Sequence, residues 1–147
     1  MVAELPHSEP GLYLCHRDRG FVAHMIAGQS NLSRVRSLTA SVLLSYGAAT
    51  ETVAAAQLVL SELVSNAVRA GGDDVPLAVE VYASDAGVAV NVHDPVRELL
   101  PQFGESAMDS DEAVSGRGLH LLALLCSDFS VATSGIGKQV RCLLAPR

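Results

Sequence analysis

Glu62 and Asn66 stand one helical turn apart in SELVSNAVR, residues 61–69, inside the otherwise apolar run AAAQLVLSELVSNAVRAGG. A carboxylate can take up a proton in general-base catalysis. A carboxamide oxygen is a hard ligand of the kind Mg²⁺ accepts. On a helical wheel of about 100° per residue, Leu60, Leu63, Val64 and Ala67 gather on one side and Ser61, Glu62, Ser65, Asn66 and Arg69 on the other. The two polar residues therefore share the middle of one face. An ordinary solvated face explains that pattern as well as a ligand site does, and the pair alone does not choose.

Two downstream features bear on the choice. VAVNVHD, residues 88–94, alternates like a strand, with Val88, Val90 and Val92 or their alternates facing inward. Asp94 ends it. An ionised Asp only accepts hydrogen bonds, so it suits a donor such as an exocyclic amino group; before Pro95 it also suits a plain turn. His93 should point to the opposite face. Further on, Gly116-Arg117-Gly118, followed by Leu119, opens the apolar run GRGLHLLALLC. A helix start exposes free N–H groups and the positive end of the dipole, where a phosphate can sit. Glycine lets backbone approach that phosphate closely. Arg117 has two candidate partners, a phosphate or the acidic cluster Asp109–Glu112. His120 lies one turn into this helix and reads as structural.

These residues need a scaffold. Residues 1–18 read as an irregular polar arm, with a short strand at Leu12–Cys15, and 19–147 as one domain. FVAHMIA (Phe21–Ala27) reads as a strand. Asn31 or Ser33 is placed to cap a helix reaching about Tyr46, with Leu32, Val35, Leu38, Val42 and Leu43 as its stripe. Gly47 stops it. Thr50 caps a second helix that ends near Ala70, before Gly71-Gly72. Val75–Ser84 and Val88–Asp94 form a hairpin turning at Asp85-Ala86-Gly87. Residues 95–115 form a long polar loop with the length and the glycine, Gly104, of a lid. A third helix from Gly116 and two closing strands, SDFSVATS and KQVRCLLA, complete a βααββ–loop–αββ order. That order predicts an α+β two-layer sandwich: a mixed, mostly antiparallel sheet covered on one face by three helices.

Composition narrows the function classes. The chain has 147 residues and a formal net charge of −6, which argues against broad nucleic-acid binding. No apolar run approaches the ~18 residues of a membrane span. The N-terminus lacks a basic-then-apolar pattern, so a soluble cytoplasmic protein is expected. Cys15, Cys126 and Cys142 are odd in number and lack CxxC spacing, which predicts reduced, mostly buried thiols. The first strand and helix carry little charge and offer a face for a homodimer.

The order of a polar pair on a helix, an Asp ending a strand, a polar loop, a glycine-rich helix start and a glycine-turned closing hairpin resembles the Bergerat ATP-binding fold. That GHKL superfamily includes DNA gyrase, Hsp90, sensor histidine kinases and MutL. Over about Phe21–Leu144 the chain looks most like the stand-alone anti-sigma-factor serine/threonine kinases of bacteria, above all at LVLSELVSNAVRAG. The resemblance implies ATP and Mg²⁺ as ligands, Glu62 as general base, Asn66 as the metal ligand and Asp94 as the reader of the adenine amino group. Gly116, Arg117, Gly118 and Leu119 would form the second glycine box. It implies a sigma factor or an antagonist protein as partner. Two positions depart from the pattern. Val96 stands where a glycine is expected after Asp94. At the last hairpin, where the family often has Gly-Thr, GKQV offers Gln139 after Lys138, as a looser base contact. The alternative implied by these departures is a protein-binding module of the same fold with weak or no nucleotide binding.

Overall fold

A computed structural model of the chain describes residues 5–6, 8–95, 122, 124–134 and 137–145. Six strands and two helices follow in the order β1 (Leu12–Arg17), β2 (Gly20–Ile26), α1 (Gln29–Ser45), α2 (Thr50–Gly71), β3 (Pro76–Ser84), β4 (Gly87–Asp94), β5 (Asp128–Ser134) and β6 (Gly137–Leu144). The strands form one sheet in the order β1-β2-β3-β4-β6-β5. Among the described residues every pairing is antiparallel, within the mostly antiparallel sheet expected. The expected irregular arm contributes the edge strand β1, which runs to Arg17 and pairs along β2.

Period-two patterning builds the core. Phe21, Ala23 and Met25 of β2, Leu77, Val79 and Val81 of β3, Val88, Val90 and Val92 of β4, and Val140, Cys142 and Leu144 of β6 are all buried on one sheet face. Both helices cover that face: α1 packs on β2 and β3, α2 on β4 and β6, and the two helices pack on each other. The stripe of α1 is buried at Val35, Leu38, Val42 and Leu43, and Thr39 joins it because its hydroxyl donates to the Val35 carbonyl at 2.8 Å. The third expected helix begins outside the described residues. Leu122, Leu124 and Leu125 are helical, and Leu122 is fully buried in the same core.

Helix starts differ from expectation. Neither Asn31 nor Ser33 caps α1, which begins at Gln29 with Gly28 as N-cap. Asn31 instead ties the chain N-terminal to it, donating to the carbonyls of Ile26 at 2.7 Å and Gly11 at 3.2 Å. The second helix starts at Thr50, with Ala49 as its N-cap and no side-chain cap bond. Its C-terminus is as anticipated: Gly72 takes a positive φ of 94° and its N–H closes on the Val68 carbonyl.

The cysteines divide otherwise than expected. Cys126 and Cys142 form a disulfide with Cα atoms 6.0 Å apart, and Cys15 is free and exposed. Folding brings the pair together: Cys142 faces inward from β6, and Ser127 N–H bonds the neighbouring Leu143 carbonyl at 2.8 Å. Among the described residues no helix is long and apolar enough to cross a membrane.

Candidate functional site

Burial of Leu60, Leu63, Val64 and Ala67 fixes the rotation of α2 and leaves Glu62 and Asn66 half-buried on its flank. The chain leaves α2 through a short turn and enters β3, whose Ala78 lies opposite His93 of β4. The end of β4 is therefore level with the start of β3, at the same end of the sheet as the C-terminus of α2. Asp94 thus lies at the end of the sheet where the chain leaves α2, the helix that carries Glu62 and Asn66. Asp94 shares the helix-facing side with Val88, Val90 and Val92 and is only 2% exposed, whereas His93 is half-buried on the opposite face.

Asn66 carries an unusual burden. Its Oδ1 accepts from the exposed Arg69 guanidinium at 2.9 Å, while its buried Nδ2 finds no hydrogen-bond partner among the described residues. An unmatched buried donor costs about 1–3 kcal/mol, so a folding role alone does not account for this amide. The carboxylate of Glu62 enters no ion pair among the described residues.

Asp94 is not left alone with solvent. Lys138 Nζ donates to Asp94 Oδ1 at 3.2 Å, and both side chains are nearly sealed. The sheet register dictates this pair, because Asp94 lies directly across from Lys138. Gly137 makes the approach feasible. It sits at φ 150°, and a Cβ there would run into the Asp94 carbonyl oxygen and lie 2.8 Å from Pro95 Cα.

The same register places Gln139. It lies across from His93, one residue out of phase with Asp94, and so on the other side of the sheet. There its Oε1 accepts from Arg141 Nε at 2.7 Å. The hairpin side chain that reaches Asp94 is Lys138. Strand alternation carried the signal, since Val140, Cys142 and Leu144 inward put Lys138 inward and Gln139 outward. Val96, Gly116, Arg117, Gly118 and Leu119, and the loop 95–115 beyond Pro95, lie outside the described residues.

The donor set can be tested against Mg²⁺ and ATP. Among the described residues no cluster of three His, Cys, Asp or Glu groups could cage a metal. Mg²⁺ bound with polyphosphate needs only one or two protein oxygens, and the Oδ1 of Asn66, whose partner Arg69 is exposed, is an oxygen of that kind. Arg69 is exposed, so its withdrawal from Oδ1 sacrifices little.

An all-antiparallel sheet under two helices, with a carboxylate and carboxamide on the helix flank and a buried Asp at the adjoining strand end, defines a two-layer α/β sandwich of the ATPase type. The family model described as histidine kinase-like ATPase domain matches residues 26–143, and the chain belongs to that family. No curated protein matches the sequence. ATP binding is the activity the family suggests.

Proposed function

We propose that this chain is an ATP-binding regulator of the anti-sigma-factor type, a serine/threonine kinase that phosphorylates a serine of an antagonist protein and holds or releases a sigma factor accordingly. The observation that carries the reading is the α2 flank, where Glu62, a carboxylate without an ion pair among the described residues, lies one turn from the Asn66 carboxamide. In this reading Glu62 accepts the proton of a serine hydroxyl as its oxygen attacks the terminal phosphorus, and ADP departs with the bridging oxygen. Asn66 and phosphate oxygens would hold Mg²⁺, which supplies charge neutralisation on the phosphates. Asp94 orients the base. Gly116, Arg117, Gly118 and Leu119 would seat the phosphates at a helix start, with Val96 lining the loop after Asp94. The negative chain charge suits a protein partner better than nucleic acid.

A second reading has its own observation. The engagement of Asp94 by Lys138 favours a module that sequesters a sigma factor by protein contact, with nucleotide weak or dispensable.

Thermal unfolding with and without Mg·ATP tests the binding claim. Ligand at 100 times its Kd stabilises by about 2.7 kcal/mol, so Tm is expected to rise progressively as ATP is titrated past its Kd. An unmoved Tm removes the kinase and leaves the sequestering module. Phosphoryl transfer to a candidate antagonist, abolished in Glu62→Ala while the Tm shift persists, then separates a kinase from a passive binder.

A further inference from the structure

We propose that Lys138 sets the nucleotide affinity of this chain, its ammonium occupying the carboxylate oxygen that would otherwise accept the adenine amino group. The proposal rests on the ATP reading above and names the residue that limits it. Lys138 Nζ stands 3.2 Å from Asp94 Oδ1, and the side chains are 4% and 3% exposed. The ammonium and the adenine amino group would thus draw on the same buried carboxylate. The ammonium is charged, and the N6–H₂ of adenine is neutral. Charge-assisted hydrogen bonds are roughly twice as strong as neutral ones, and a low-dielectric interior widens that gap. A base that displaced the ammonium would also separate a buried ion pair.

The sheet sets which side of β6 the lysine takes. Its register against Asp94 is locked by the inward residues Val140, Cys142 and Leu144. The Gly137 approach holds the β6 backbone against the Asp94–Pro95 segment. Nucleotide therefore meets a base pocket in which an internal donor stands in for its own amino group. Affinity for ATP is low, and discrimination at the 6-position of the purine is lost.

The test is the dissociation constant of Mg·ATP and of Mg·ITP, whose base carries an oxo group in place of the 6-amino group, by isothermal titration calorimetry. Wild type is expected to hold the two within about threefold of each other, because its carboxylate is already engaged. Lys138→Thr and Lys138→Gln should each tighten ATP by roughly tenfold or more and leave ITP nearly unchanged. Lys138→Arg, which keeps the charge, should behave like wild type. If Lys138→Thr fails to fold, Lys138→Gln decides, since its neutral amide still serves Asp94. Strong preference of wild type for ATP over ITP overturns the proposal, as does an unchanged ATP-to-ITP ratio in the neutral variants; either outcome leaves the ATP reading standing. Failure of wild type and every folded variant to bind either nucleotide removes that reading and this proposal together.

Discussion

Asp94 and Lys138 are taken almost wholly out of water, and that governs what the loss of one partner does. Removing one member of a buried pair leaves an uncompensated charge, at a penalty of about 3–5 kcal/mol. Asp94→Ala should therefore lower the free energy of unfolding by about that amount in urea titrations. Glu9→Gln, which breaks the half-exposed ion pair with Arg34, should change it by less than ~1 kcal/mol. Equal effects would refute the contrast drawn between the two pairs. At Asn66 the expected direction reverses. Asn66→Ala deletes a buried donor without a partner, so stability should hold or rise by up to ~1 kcal/mol. The Tm response to Mg·ATP should disappear in the same variant. A marked loss of stability would make the carboxamide structural.

At the scale of elements, the β6 hairpin presses its backbone onto the end of β4. Gly137→Ala would force its Cβ into the Asp94–Pro95 backbone. The expected loss is about 1–3 kcal/mol, read as a lower Tm. Gly28→Ala is the matched control: nothing lies within 4 Å of a Cβ there, and its φ of 166° is ordinary extended backbone. It should move stability by less than ~0.5 kcal/mol. If both variants unfold alike, the close approach at β4 is not what demands the glycine. The outer rows of the sheet are also organised. Arg17 stacks on the Tyr82 ring at 3.5 Å and pairs with Glu80, which accepts from Asn91 at 3.1 Å. These links join β1 to β3 and β3 to β4 across the uncovered face.

For the whole molecule, the Cys126–Cys142 bridge closes a loop of 16 residues between the helical turn at Leu122–Leu125 and the middle of β6. Closing a loop of that length should stabilise by about 3 kcal/mol through the unfolded chain. Denaturation with and without dithiothreitol should differ by about that amount, and a Cys126→Ser/Cys142→Ser variant should show no response to reductant. The bridge also bears on surroundings. Disulfides persist in oxidising compartments and are uncommon in reducing ones, so the bonded state of these two cysteines reports the compartment in which the chain works.

Much of the scaffold follows from local patterning. Alternating apolar residues in 75–94 and 137–144 place the strands, a 3.6-residue stripe places α1 and α2, and the Gly72 C-cap and the turn at Asp85-Ala86 end the elements where glycine and aspartate predict. Those signals are local, because each element must bury one face whatever its neighbours are. The helix face carrying Glu62 and Asn66, and the strand end carrying Asp94, were legible for the same reason. Long-range partners were not. Asn31 looks like a cap in the sequence and is claimed instead by the carbonyls of Gly11 and Ile26. Cys126 and Cys142 lack a spacing motif and meet only because β6 and the end of a helical turn pack together. Lys138 became the partner of Asp94 through cross-strand register. Sequence sets which face each side chain takes; only the tertiary structure decides which other face it meets, because pairing between distant segments depends on the packing of the whole sheet.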